Sequence, residues 1–139
     1  MAIEPCILLA LKRRRDTKIC LVNDEGEIYP PHQFESSEIE NEIAISQGNP
    51  HWWNYFLCGL KGSLLQLKES NSNFSLDVGM YCLVQGSIPP ASGLSSSSAV
   101  VVAAAMAFMT ISDQLETQER FKLADLCASS ERFIGTQGG

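Results

Sequence analysis

The 139-residue sequence is long enough for one domain with a hydrophobic core and too short for two. Its 45% hydrophobic and 19% charged residues argue against intrinsic disorder, and its net charge of −6 gives no general attraction to nucleic acids or anionic membranes. We therefore expect a soluble globular domain that binds neither nucleic acid nor a membrane.

The predicted elements begin with two short apolar runs, residues 6–11 and 18–22, which flank a charged segment and predict two antiparallel strands. The basic run between them, residues 12–15, is predicted to be the solvated tip of a hairpin. A nuclear-localisation or nucleic-acid patch is the alternative. Residues 23–50 are polar and acidic and contain turn signals, which predicts a strand or two and a long surface loop.

An amphipathic helix is predicted over residues 52–68, because large apolar side chains recur there at spacings of four, four, four and three residues. This stripe consists of Trp52, Phe56, Leu60, Leu64 and Leu67. A polar turn, residues 69–75, is predicted to end the helix, and a strand is predicted over residues 79–86, between two glycines.

The last two predicted elements are helices. The apolar run 99–111, interrupted only by Thr110, predicts a helix that begins near Ser95 and is buried nearly all round. It is too short to cross a bilayer, which takes about 20 residues. Residues 117–134 predict a further helix with Gly135 as its C-terminal stop, and this mixture of strands and helices is typical of an α+β domain.

The segment between the last strand and the apolar helix, residues 88–99, reads Ile-Pro-Pro-Ala-Ser-Gly-Leu-Ser-Ser-Ser-Ser-Ala and predicts a phosphate-binding loop. Gly93 permits a close or left-handed backbone turn. Residues 95–98 lie at the helix start, where the first amides lack intrahelical partners and the helix dipole is positive. An ordinary serine-capped helix start is the alternative, and a serine-rich linker is a weaker one. A Walker P-loop and a G-x-S-x-G nucleophile elbow are both absent.

Five cysteines are widely and irregularly spaced, and none forms a C-x-x-C pair. Their odd number and their spacing argue against a disulfide framework or a zinc site. The N-terminus lacks the pattern of a secretory signal. Reduced cysteines in the cytoplasm are therefore expected.

Three segments resemble the GHMP kinases, the family named for galactokinase, homoserine kinase, mevalonate kinase and phosphomevalonate kinase. Residues 88–99 are similar to the family's ATP phosphate loop, and residues 52–62 to the Trp-x-Asn-Tyr helix of galactokinases. Residues 130–139 resemble the run that leads into the family's Met-Asp-Gln. The four serines and the string Asn-Tyr-Phe-Leu-Cys-Gly-Leu-Lys-Gly most resemble the animal N-acetylgalactosamine kinases.

The resemblance implies an α+β, ribosomal-protein-S5-domain-2-like fold, in which a mixed or antiparallel sheet packs against helices. It makes residues 1–139 a partial N-terminal, ATP-binding domain that is incomplete at both ends and lacks the C-terminal domain. The family's sugar-binding motif has no match in this sequence, and the catalytic aspartate is expected beyond Gly139. The isolated chain is therefore expected to be inactive.

The site residues implied by the resemblance bind ATP and Mg²⁺. The ATP-binding set comprises Gly93, Leu94, Ser95, Ser96, Ser97, Ser98 and Trp52. Ser98, as one of the last serines, and Glu131 are the expected Mg²⁺ ligands, and oxygen ligands suit this hard cation. Which serine binds the ion is left open. A core anchor is the alternative role for Trp52, and a solvent-facing helix position is the alternative for Glu131.

The implied activity is the ATP-dependent phosphorylation of the anomeric hydroxyl of galactose or N-acetylgalactosamine by a full-length, cytoplasmic, monomeric protein. One alternative is a non-catalytic galactokinase-like regulator that binds sugar and nucleotide. The other is a different GHMP kinase, such as a mevalonate or homoserine kinase.

Overall fold

A computed structural model describes residues 4–42, 50–90, 93–117 and 119–135. Predictions that refer to residues 1–3, 43–49, 91–92, 118 and 136–139 lie outside the described residues. Within the described part, four strands form one sheet, and helices pack against one of its faces around a single hydrophobic core.

The sheet consists, in spatial order, of β1 (Ile7–Arg14), β4 (Gly79–Gly86), β2 (Lys18–Asn23) and β3 (His32–Glu35). The central strand β4 pairs antiparallel with β1 and parallel with β2, and β2 pairs antiparallel with β3. This mixed sheet confirms the predicted α+β class. The strand predicted over residues 79–86 is also confirmed.

The prediction of a hairpin between the first two strands is wrong. β1 and β2 run in opposite directions, as predicted, but β4 lies between them and pairs with both. Periodicity identifies a strand without identifying its neighbours, because pairing is decided by the packing of all strands on the same core. A strand from much later in the chain therefore takes the central position.

The basic run 12–15 is not a solvated hairpin tip either, since residues 12–14 belong to β1 and pair with β4. Arg14 Nε and Nη2 donate to the Asp16 carboxylate at 2.7 and 2.6 Å, and the guanidinium carbon lies 4.2 Å from the ring centroid of Tyr81. The hydrogen bond from Arg14 lowers the pKa of Asp16 to about 2. This arginine is thus engaged on the sheet surface and does not contribute to a free basic patch.

The helices are α1 (Ile39–Glu42), α2 (Trp52–Ser70), α3 (Ser96–Ile111) and α4 (Arg120–Ser130). The helices predicted over residues 52–68 and from about Ser95 onward are confirmed. The predicted last helix comprises α4 and a 3-10 turn, Glu131–Ile134, which ends at Gly135 in the left-handed conformation (φ 76°). Fully buried side chains of the core include Ile19, Leu21, Phe56, Leu60, Phe108 and Met109.

Two glycines of α2 allow the neighbouring helices to approach closely. A Cβ atom on Gly59 would clash with the carbonyl oxygen of Val101 and would lie 2.7 Å from Ala104 Cβ, both in α3. A Cβ atom on Gly62 would clash with the hydroxyl of Ser130 in α4. α2 therefore contacts both α3 and α4 at positions that have no room for a side chain.

The prediction that α3 is buried all round is wrong. Val102 and Met106, one helical turn apart, are 39% and 44% exposed, whereas Val101, Ala105 and Phe108 are fully buried. Thr110, one turn after Met106, is exposed on the same face and is the one polar residue of the run. A single polar position gives too weak a pattern to distinguish the face that packs from the face that does not.

The described residues contain no helix that is both long and apolar enough to span a bilayer. All five cysteines are free thiols. Burial raises the pKa of Cys58 and of Cys82 to about 12 and that of Cys127 to about 11, so these thiols stay protonated at neutral pH.

Candidate functional site

The predicted phosphate loop joins the central strand β4 to helix α3. Ser87 anchors its entry, because its N–H donates to Cys6 O (3.0 Å) and its hydroxyl accepts from Cys6 N–H (2.9 Å). Gly93 adopts the predicted left-handed conformation (φ 74°), and Ser95 is left-handed as well (φ 54°, ψ 48°). Residues 91–92 of the motif lie outside the described residues.

The start of α3 presents a row of backbone donors that have no partner within the helix. Its first helical hydrogen bond runs from Ala99 N–H to Ser95 O (3.0 Å). The N–H groups of residues 96–98 therefore have no acceptor within the helix. A left-handed residue followed by a right-handed one arranges such N–H groups as a concave nest that binds anions, and the helix dipole adds positive potential there. The left-handed backbone of Ser95 is unfavourable for a residue with a side chain, and such strain concentrates at functional sites.

An ordinary serine cap does not explain this helix start. Ser95 occupies the N-cap position, but its side chain makes no capping hydrogen bond. Gly93 and Ser95 are exposed. The half-buried members of the predicted ATP-binding set in this loop are Leu94, Ser96, Ser97 and Ser98.

A pocket of about 410 Å³ opens beside the serines. Ser96 and Ser97 form part of its wall, and Trp52 and Tyr55 from the start of α2 form another part. The other described lining residues are Ile7, Asn23, Glu25, Tyr29, Pro50, Val84, Gly86, Ile88, Pro90 and Val100. The volume and the largely apolar lining are typical of a small-molecule site.

The Trp-x-Asn-Tyr motif has a physical explanation in this fold. Trp52 is half-buried against the core, lines the pocket and donates from Nε1–H to Pro30 O (2.8 Å). It is thus both a core contact and a pocket residue, and its part in ATP binding stays a prediction. Asn54 is 3% exposed, and its Oδ1 accepts from the N–H of His51 (2.8 Å). This bond ties the first turn of α2 to the residue before it and thereby fixes Trp52 at the pocket.

Tyr55 is a pocket residue that the sequence-based prediction of the site omitted. It lies three positions after Trp52, so both rings share one face of α2. Its pKa is raised, first by burial and then by the negative charge of Glu131. The i, i+3 spacing within the motif was the signal that could have identified it.

Glu131 is not the solvent-facing residue that one alternative required, because it is 3% exposed at the start of the 3-10 turn after α4. Its charge also raises the pKa of the thiols of Cys58 and Cys127, after the larger contribution of burial. The negative charge of Glu131 therefore acts on groups in both α2 and α4, Tyr55 among them.

The two predicted Mg²⁺ ligands are Ser98 and Glu131. Among the described residues, no group of three or more His, Cys, Asp or Glu side chains is arranged to hold a metal ion. Ser98 lies in the first turn of α3, next to the pocket-lining Ser97, but is not itself among the described lining residues.

The family model for the GHMP kinases N terminal domain matches residues 54–139, which is more than half of the chain. The chain belongs to the GHMP kinase family. The matched segment contains most of α2, all of β4, the loop and both later helices. The family that the motifs indicated is thereby confirmed.

Three galactokinases are similar to this GHMP kinase chain over most of its length. The protein from Candida parapsilosis is 27% identical over 147 residues, which cover 100% of this chain and 26% of the relative. The one from Dictyostelium discoideum is 27% identical over 139 residues (99% and 26%), and the one from Staphylococcus carnosus 31% over 128 residues (91% and 30%). The chain therefore spans about a quarter to a third of the length of these relatives.

Two solved structures share the fold. The mevalonate kinase of Methanococcus jannaschii has a TM-score of 0.77 at 20% identity, covering 96% of this chain and 38% of that one. The galactokinase of Lactococcus lactis, complexed with galactose, has a TM-score of 0.76 at 25% identity, covering 99% and 32%. The GHMP kinase N-terminal fold is thus confirmed, while the particular likeness to animal N-acetylgalactosamine kinases stays a prediction.

Proposed function

We propose that this GHMP kinase chain is the ATP-phosphate-binding part of a sugar kinase that phosphorylates the anomeric hydroxyl of galactose or N-acetylgalactosamine. The observation that carries the proposal is the nest of N–H groups at residues 96–98, beside a pocket walled by Trp52 and Tyr55. Unpaired donors suit a polyphosphate, and an aromatic wall suits a nucleobase. The galactokinase names of the relatives support the class of sugar.

Phosphoryl transfer requires positioning and charge compensation more than covalent chemistry from the protein. In the proposed mechanism the first amides of α3 bind phosphate oxygens, and the helix dipole offsets their negative charge. Gly93 lets the loop backbone approach the phosphates without a side chain in between. The catalytic aspartate, which would orient the sugar hydroxyl, stays a prediction for a position after Gly139.

Mg²⁺ is the ion proposed to accompany ATP, with Ser98 and Glu131 as its protein ligands. Hydroxyl and carboxylate oxygens fit this hard cation. Mg²⁺ is usually bound by one or two carboxylates together with waters and substrate phosphates, so a site with few protein ligands agrees with the described residues. When bound, the ion would offset part of the phosphate charge, and the burial of Glu131 would hold its carboxylate in place.

Replacing Gly93 with valine is expected to weaken ATP binding at least about tenfold, because a β-branched residue disfavours the left-handed φ of 74° and shifts the loop. Calorimetric titration with ATP and Mg²⁺ measures the affinity. A Cβ atom at this position would meet no atom of the described residues within 4 Å, so the loss of stability should stay near the cost of the left-handed backbone, about 1–2 kcal/mol.

Gly93→Asn is the matched control, since asparagine tolerates the left-handed region better than valine does. It should bind ATP more tightly than Gly93→Val. Equal ATP affinity in the wild type and in Gly93→Val would refute the assignment of the phosphate loop.

A direct assay of phosphate transfer tests the proposed reaction. Sugar 1-phosphate is expected from a polypeptide that adds the rest of a galactokinase-length chain to residues 1–139, supplied with ATP, Mg²⁺ and either sugar. Comparing kcat/KM for galactose and N-acetylgalactosamine decides the substrate, with mevalonate and homoserine as control acceptors. ATP binding without transfer to any acceptor would contradict the kinase proposal. Cytoplasmic location and a monomeric state stay predictions.

A further inference from the structure

One wall of the pocket is the turn that follows β2. The N–H groups of Ile28 and Tyr29 both donate to Glu25 O (2.9 Å each), which closes the turn on itself. The N–H of Asp24 donates to Val84 O (3.1 Å), which fastens the turn to the central strand. The bond from the Trp52 indole to Pro30 O joins the end of the turn to α2. This wall is therefore held in place by its own hydrogen bonds and by bonds to β4 and α2.

Glu25 has the only charged side chain among the described lining residues of the pocket. Its backbone N–H donates to Asn23 Oδ1 (2.9 Å), which sets the direction of the chain at the start of the turn. No hydrogen bond or ion pair of its carboxylate occurs within the described part of the chain. Glu25 is also exposed to solvent, so its carboxylate is open to a ligand in the pocket.

The lining of the pocket therefore combines two features of opposite electrostatic character. The N–H nest at Ser96 and Ser97 attracts anions, whereas Glu25 repels them. A nucleotide that places its phosphates at the serines must present an uncharged part to Glu25. The nucleoside has two kinds of hydrogen-bond donor for a carboxylate to accept, the ribose hydroxyls and an exocyclic amine on the base.

We propose that Glu25 is a specificity-determining residue, which accepts a hydrogen bond from the nucleoside of the bound nucleotide and thereby selects nucleotides that carry this donor. Asn23 is a positioning residue that holds the Glu25 backbone. The inference rests on the proposed function, because it assumes that ATP occupies the pocket. Hydrogen bonds to a charged group are stronger than those between neutral groups. A nucleotide that lacks the donor should therefore bind more weakly.

The test compares the affinity of the purified protein for ATP with its affinity for three analogues. 2′-Deoxy-ATP and 3′-deoxy-ATP each lack one ribose hydroxyl, and purine riboside triphosphate lacks the exocyclic amine. We expect the wild type to bind at least one of them about tenfold more weakly than ATP. In Glu25→Ala the same ratio should fall close to one. The analogue that shows the effect identifies the donor.

Glu27→Ala is the matched control, because Glu27 is an exposed carboxylate of the same turn and does not line the pocket. It changes the net charge equally and should leave the ratios as in the wild type. Equal binding of all four nucleotides by the wild type, or unchanged ratios in Glu25→Ala, would overturn the role of Glu25 while leaving ATP binding intact. Failure of the wild type to bind ATP at all would instead refute the proposed function, and this inference with it.

Discussion

Replacing Gly59 with alanine is expected to lower the free energy of unfolding by about 2–3 kcal/mol, because the added methyl group overpacks the contact between α2 and α3. In an exposed helix the same change would stabilise by about 1 kcal/mol. Here the new Cβ would clash with Val101 O and would lie 2.7 Å from Ala104 Cβ and 2.9 Å from Ala105 N. Val101 O and Ala105 N are backbone atoms of α3, and Ala104 Cβ is bonded directly to that backbone. No side-chain rotation can therefore relieve the overlap. Urea denaturation measures the change.

Two further glycines provide controls for this experiment. Gly26→Ala adds a Cβ whose nearest neighbour is 3.6 Å away, so its effect should stay within about 0.5 kcal/mol. Gly62→Ala should fall between the two, because the Ser130 hydroxyl can rotate away at the cost of its hydrogen bond to Leu126 O. A Gly59→Ala protein as stable as the wild type would show that α2 and α3 do not pack this closely.

Replacing Ser97 with aspartate is expected to weaken ATP binding at least about a hundredfold, because it places a negative charge where the phosphates are proposed to bind. Ser97 is the second residue of α3 and lines the pocket. An acidic residue at this position interacts favourably with the helix dipole and should stabilise the fold by about 0.3–1 kcal/mol. The variant should therefore bind ATP more weakly and yet be more stable than the wild type. A misfolded protein would instead lose both affinity and stability.

Ser97→Asn is the matched control, since asparagine has nearly the shape of aspartate without its charge. It should reduce ATP affinity only about tenfold or less, as expected for the loss of one hydroxyl and a small change in volume. Calorimetry with ATP and Mg²⁺ gives the affinities, and thermal unfolding gives the stabilities. If aspartate and asparagine weakened ATP binding equally, charge at the helix start would not matter, and the phosphate would have to bind elsewhere.

Most of the helices and strands could be predicted because their signals are local. The spacing of apolar residues from Trp52 to Leu67 predicted α2, and the glycines at its two ends predicted the bounds of β4. The hairpin prediction failed for a different reason. The charge of residues 12–15 suggested a solvent-exposed tip, but paired strand residues can carry charge when one face of the sheet is open to solvent.

The candidate site was predictable where one motif carries it. The left-handed Gly93 followed from the loop sequence, and the serines at the start of α3 followed from helix capping and dipole arguments. Glu25 and Tyr55 lay outside that prediction. Glu25 belongs to a polar turn with no motif of its own, and only the approach of that turn to Trp52 brings it to the pocket.

The sequence by itself determined the local structure of this protein and its family, because helix periodicity, turn preferences and the phosphate-loop motif act between residues that are near one another in the chain. Only the tertiary structure decided that β4 lies between β1 and β2 and that one side of α3 stays exposed. It also decided that Glu131 is buried. These features depend on contacts between distant segments, and the free energy of such contacts is set by how the whole core packs.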